Sequence, residues 1–219
     1  MKNLQLTINR EIRQYGLMFT LSLFCLGLLL IRAKITQSIF LFFLIWNLFL
    51  AYTPLAVSSL LINNITLVQK RRYLLPLLAC WLFLLPNAPY LITDFIHLNK
   101  DNAIPVWFDI LLIASFTLTG LLFGLASMHN VYKIVLVKTS ATAAKIIMLF
   151  ICGLCGFGIY LGRFLRYNSW DILQKPISLG IDIFSSLFAS ETYRAAWGIT
   201  LGFGMLQYLL FSIYNEFKQ

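Results

Sequence analysis

Long apolar runs and short polar stretches alternate along the chain, and six of the runs are long. A helix that crosses a bilayer needs about 20 mostly apolar residues. The qualifying runs lie at about residues 15–32, 37–61, 73–93, 106–128, 145–165 and 192–214. None shows the alternation of a transmembrane β-strand. We therefore predict an all-α fold: a single integral membrane helical bundle over residues 1–219, with six transmembrane helices.

Composition makes membrane lipids the main partner of this chain. Hydrophobic residues make up 60% of it and charged residues only 11%, against about 25% charged in soluble domains. The net charge of +9 comes from Lys and Arg residues that lie between the apolar runs, which argues against nucleic-acid binding because no basic face forms. The first run ends without a small-residue cleavage site, so we expect an uncleaved helix.

The distribution of basic residues sets the predicted orientation. Placing the N-terminus in the cytoplasm puts ten Lys and Arg residues inside, among them the cluster Lys70-Arg71-Arg72, and seven outside. Basic residues favour cytoplasmic loops. We predict that both termini are cytoplasmic.

A reporter enzyme fused near Asn102 tests this orientation. We expect alkaline phosphatase to be active at this position, because the loop between the third and fourth spans is predicted to be extracytoplasmic. If alkaline phosphatase were inactive there, and a reporter that works only in the cytoplasm were active at the same position, the predicted topology would be wrong.

The third span contains two prolines near its outer end. Pro86 and Pro89 each lack an N–H, which frees carbonyls near Leu82 and Leu85. Non-helical backbone inside a membrane is tolerated only against protein or a wet cavity. Asn87, between the prolines, and Asn47 in the second span are candidates to bond the freed groups. A plain kink is the alternative.

Three pairs of glycines have the four-residue spacing that lets helices approach closely in lipid: Gly120 and Gly124, Gly158 and Gly162, Gly198 and Gly202. Packing within one chain is one interpretation, and a homodimer through these Gly-x-x-x-Gly faces is the other.

An amphipathic segment follows the fifth span. Asn168 can cap a helix and Asp171 suits its first turn, after which apolar and polar residues fall on different faces. We predict an interfacial helix at about residues 169–189, lying on the outer membrane surface.

Polar residues collect at the predicted outer ends of the third, fourth and fifth spans. Ionisable groups are costly near hydrocarbon, so such a cluster indicates a functional site. Asp94, His97 and Asp109 are the candidates for acid–base catalysis. The candidates for ligand binding are Asn87, Tyr90, Arg163, Arg166, Asn168, Trp170 and Asp171. Two arginines suit a phosphate or carboxylate.

Structural explanations compete with these roles. Arg163 and Arg166 can extend to lipid phosphates, and either aspartate can form a bridge with an arginine. The aromatic residues fit an interfacial belt. We assign no metal site, because His97 is the only histidine on the predicted outer side. The sequence does not identify a cofactor. The four cysteines lie in apolar spans and are interpreted as packing residues.

Two motifs resemble a known family. They are Pro86-Asn87-Ala88-Pro89-Tyr90 with Thr93-Asp94 and His97, and the segment from Gly158 to Asp171. Both are similar to those of domain-of-unknown-function family 1361, a group of predicted bacterial membrane proteins. The resemblance extends from about Asn47 to the last span. It implies a multi-pass protein of a bacterial cell membrane and assigns no reaction.

Three functions remain open from sequence. The leading hypothesis is a polar site at the extracytoplasmic face that recognises or modifies an anionic lipid or other amphiphile. The first alternative is a small-solute transporter or its membrane-embedded substrate-binding subunit, because broken helices often mark transport sites. The second is a membrane interaction scaffold. Whether the protein is an enzyme is left open.

Overall fold

The computed structural model describes residues 2–98, 104–167, 180, 182–183, 185 and 193–218, and for residues 2–12 it describes the backbone alone. Most of these residues are helical, and no strand occurs among them. The longer helices are α1 (Lys2–Thr36), α2 (Phe43–Asn63), α4 (Arg71–Leu84), α6 (Val106–Lys138), α7 (Ala141–Arg163) and α8 (Tyr193–Lys218). Two short helices are α3 (Ile65–Gln69) and α5 (Asn87–Tyr90), and 3-10 turns span Phe40–Phe42 and Leu91–His97.

Within the described ranges, six helical stretches are long and apolar enough to cross a membrane, which confirms the all-α membrane bundle. They are Arg13–Thr36, Phe40–Asn63, Arg71–His97, Val106–Lys138, Ala141–Arg163 and Tyr193–Lys218. Several helices extend beyond the predicted apolar limits. The fourth continues ten residues past its predicted end at 128 because His129, Asn130 and Tyr132 are buried against neighbouring helices. The interfacial helix predicted at 169–189 lies almost entirely outside the described residues.

Helix α6 is the centre of the bundle. It packs against α1, α2, α5, α7 and α8. In its most apolar stretch of 18 residues, 61% is buried inside the protein. At one end of the bundle, Gln14 of α1 donates to the Tyr214 hydroxyl and accepts from Lys218, both on α8. The first and last helices therefore have their terminal ends on the same side, as an even number of spans requires.

Proline inside α2 is accommodated by local bonding. Pro54 has no N–H to donate to the Leu50 carbonyl, and the Thr53 hydroxyl donates to that carbonyl instead, at 2.7 Å. The Pro54 carbonyl accepts from Ser127 of α6 at 2.9 Å, and Ser127 accepts from the Trp81 indole at 2.6 Å. Polar groups inside the bundle thus tie α2, α4 and α6 together.

Two of the three glycine pairs pack within the chain. A Cβ on Gly124 would lie 2.8 Å from that of Ala88, and one on Gly120 would lie 3.2 Å from the Ala88 carbonyl oxygen. On α7, Gly158 faces Pro86 and Gly162 faces Tyr90. Both pairs make room for the broken segment of the third span, which lies between α6 and α7.

The third glycine pair differs from the other two. A Cβ on Gly198 or Gly202 would meet no atom within 4 Å. The homodimer through this face stays a prediction.

Candidate functional site

The proline pair lies where α4 ends, and the short helix α5 follows it, packed against α2, α6 and α7. Ala88 N–H bonds to the Leu85 carbonyl at 3.1 Å, which leaves the Leu84 carbonyl without its usual partner four residues on. The Asn87 side-chain amide donates to that carbonyl at 2.9 Å. Asn87 thus serves a carbonyl freed by the break, but at Leu84 and not at Leu82 or Leu85. Asn47, the other candidate, donates to the Asp94 side chain and not to a freed carbonyl.

Asp94 lies at the centre of a buried polar cluster. Its carboxylate is about 1% exposed and accepts from the Asn47 amide at 2.9 Å and from Arg163 at 3.4 Å. Arg163 also donates to the Tyr90 hydroxyl at 3.3 Å and to the Thr93 carbonyl, and its guanidinium carbon lies 5.3 Å from the Tyr90 ring centroid. Residues from α2, the broken segment and α7 therefore meet here.

Asp109 belongs to a separate cluster. It accepts two bonds from Arg32, one from Nε at 2.7 Å and one from Nη2 at 3.1 Å, and the Arg32 and Asp109 side chains are only 2% and 6% exposed. This pair joins the end of α1 to the start of α6. Of the two candidate roles for Asp109, the geometry is that of the structural bridge. Arg32 is one of the seven basic residues that the predicted orientation places outside, and the structure buries it in this pair.

His97 packs among aromatic rings. Its ring centroid lies 5.0 Å from that of Phe43 and 6.1 Å from that of Phe40, both edge-on. Within the part of the chain that the structure describes, no three His, Cys, Asp or Glu side chains group as metal ligands do.

The arginines predicted to act together have different surroundings. Arg163 is mostly enclosed, whereas Arg166 is exposed, with φ at 58°. This left-handed conformation ends α7 and allows the Tyr167 N–H to bond to the Leu161 carbonyl at 3.1 Å. The ligand-binding candidates Asn168, Trp170 and Asp171 lie outside the described residues.

A cavity of about 410 Å³ opens beside the Asp94 cluster, between α2, the broken third span and α7. Drug-sized ligand sites have volumes of about 300–1,000 Å³. Four polar side chains line this cavity: Asn47, Asn87, Tyr90 and Tyr167, whose hydroxyl donates to Asp182 at 2.7 Å. The other lining residues are Trp46, Leu50, Leu82, Phe83, Leu84, Pro86, Leu154, Phe157, Gly158, Leu161, Gly162 and Ile183.

Comparison with known proteins assigns the chain to a family. Residues 46–210 match the family described as Protein of unknown function (DUF1361), which is most of the chain. The chain belongs to the DUF1361 family. No curated protein and no solved structure matches it. Every residue that lines the cavity, from Trp46 to Ile183, falls inside the DUF1361 match, whereas α1 lies outside it.

The structure brings four of the sequence-predicted candidates together and adds two features that were not predicted from the sequence. Asn87, Tyr90, Asp94 and Arg163 come together as expected from their shared membrane level. Asn47 was noticed only as a partner for free carbonyls, although an amide inside an apolar run also indicates a buried ionic partner. The apolar wall of the cavity could not be recognised from sequence, because a leucine that lines a cavity and a leucine that faces lipid occur in the same kind of apolar run.

Proposed function

We propose that this DUF1361 protein binds a membrane amphiphile in the cavity between the broken third span and α7. The observation that carries the proposal is the distribution of polarity in the cavity: Asn47, Asn87, Tyr90 and Tyr167 provide hydrogen-bonding groups, and the remaining lining is apolar. A lipid divides in the same way into a polar head and hydrocarbon chains. Because of the family resemblance, we place this protein in a bacterial cell membrane.

Access from the side of the bundle supports a lipid over a water-soluble ligand. Trp46, Phe83 and Leu154 line the cavity, yet each remains 40% or more exposed. These residues lie within spanning segments, where the outward surface faces hydrocarbon. A chain can therefore enter laterally from the bilayer without passing through water.

The cavity extends along more than two turns of α7. Lining residues run from Leu154 to Gly162, which is eight residues or about 12 Å of helix. This length follows the direction that a lipid chain takes in the membrane. The head would then lie toward Tyr90 and Tyr167, and the chain toward Leu154.

Filling the cavity tests the proposal. Leu161→Trp places an indole in the cavity from α7, and we expect co-purified lipid to fall at least tenfold in native mass spectra of the detergent-solubilised protein. Leu149→Trp is the matched control, because Leu149 lies on the same helix, is 45% exposed and lines no part of the cavity. Equal lipid retention by the wild type and Leu161→Trp would contradict the proposal.

A further inference from the structure

We propose that the amphiphile carries an uncharged, hydroxyl-bearing head, of the glycerol or sugar type, in contact with Asn47, Asn87 and Tyr90. This inference rests on the proposed function and deepens it. It follows from the hydrogen-bonding capacity that these three cavity-lining side chains keep after their bonds to the other described residues are counted.

Asn47 has only one possible amide orientation. Its nitrogen lies 2.9 Å from the Asp94 carboxylate, and a carboxylate only accepts hydrogen bonds. The amide NH₂ must therefore face Asp94. Its carbonyl oxygen has no hydrogen-bond donor among the described residues, and Asn47 lines the cavity.

Asn87 is fixed by the same argument. Its nitrogen lies 2.9 Å from the Leu84 backbone carbonyl, which also only accepts. The Asn87 amide oxygen is thus left as a second acceptor at the cavity, again without a donor among the residues that the structure describes. Each of the two amides keeps one further N–H.

Tyr90 contributes a donor. The Arg163 guanidinium only donates, so the Tyr90 oxygen accepts that bond at 3.3 Å. The phenolic hydrogen has no acceptor in the described part of the chain. Tyr90 lines the cavity, so a bound group can accept from it.

The head must therefore both donate and accept. A hydroxyl does both, whereas a carboxylate or phosphate dianion only accepts and would leave the two amide oxygens without donors. Unsatisfied polar groups in a desolvated site are costly. No side chain lining the described cavity carries a formal charge. Beside it, Arg163 and Asp94 form a pair with each other, and Asp182 accepts from the Tyr167 hydroxyl, so the described residues offer no unpaired cation there for an anionic head.

This assignment differs from the anionic head that the two arginines suggested. Arg163 donates to three acceptors inside the protein, namely Asp94, Thr93 and Tyr90, and it does not line the cavity. The Arg163 side chain therefore orients the Tyr90 hydroxyl and does not itself contact the ligand.

Matched lipids provide the test. The purified full-length protein is titrated in detergent with didecanoylglycerol, with didecanoyl phosphatidic acid of the same chains, and with glycerol alone, and bound species are counted by native mass spectrometry. We expect didecanoylglycerol to bind at least tenfold more tightly than the phosphatidic acid. Tyr90→Phe should weaken didecanoylglycerol binding about fivefold, as expected for one lost hydrogen bond.

Tyr52→Phe serves as the control, because Tyr52 is 46% exposed and lines no part of the cavity. Equal or tighter binding of the phosphatidic acid overturns the hydroxyl assignment and leaves the amphiphile proposal intact. An unchanged didecanoylglycerol affinity in Tyr90→Phe also overturns the assignment. Binding of neither lipid, or of glycerol as tightly as didecanoylglycerol, overturns the proposed function itself.

Discussion

Arg32→Ala is expected to lower the free energy of unfolding by about 3–5 kcal/mol. The substitution leaves the Asp109 carboxylate buried without the guanidinium that now gives it two hydrogen bonds, at 2.7 and 3.1 Å. Breaking a buried ion pair by removing one partner is costly because an uncompensated charge remains. Unfolding in mixed micelles of dodecylmaltoside and SDS, followed by circular dichroism, measures the change.

Two controls isolate the ion pair. Arg166→Ala removes an exposed arginine just after the end of α7 and should have little effect. The double variant Arg32→Leu with Asp109→Leu removes both charges, and we expect it to be more stable than Arg32→Ala, because no buried charge is left alone. Equal stability of Arg32→Ala and the wild type would show that the pair does not hold α1 on α6.

Gly156→Val is the second variant with a large expected effect. A Cβ at Gly156 would lie 2.9 Å from the Gly204 backbone nitrogen and would contact the Thr200 backbone, so α7 and α8 must separate. Overpacking in a close-packed interior costs about 1–3 kcal/mol and occasionally more. We expect the upper end of this range, since backbone atoms cannot rotate away as a side chain can. The same mixed-micelle unfolding measures it.

Gly198→Val is the matched control on α8. A Cβ there meets no atom within 4 Å, so the substitution should change stability little. If the two valine variants were equally stable, the close approach of α7 and α8 at Gly156 would be wrong. A change in oligomeric size of Gly198→Val alone would instead support the homodimer through that face.

The six spans could be predicted because each depends on a continuous run of apolar residues, which is a local property. Partner choice is not local. Arg32 and Asp109 are 77 positions apart. The sequence around an arginine at the end of a span does not show whether its side chain contacts lipid phosphates or a buried carboxylate. Sequence therefore placed Arg32 near the end of the first span, where the structure has it, but left its role undetermined.

The glycine pairs show the same limit. Gly158 and Gly198 have the same spacing to their partners, yet one faces Pro86 and the other faces no atom within 4 Å. Spacing reports which face a glycine lies on, and only the packed helices determine what that face meets. The cavity is still harder to predict from sequence, since its walls come from α2, the broken third span and α7 together.

Photo-crosslinking maps the ligand most directly. A didecanoylglycerol with a diazirine in its chain is added to the purified protein, irradiated, and located by peptide mass spectrometry with and without excess unlabelled lipid. We expect competed adducts on the cavity-lining residues of α4 and α7, near Leu82 and Leu161, and their loss in Leu161→Trp. Adducts confined to outward faces such as Leu201 and Ile213 of α8, unaffected by competitor, would contradict an amphiphile site in this cavity.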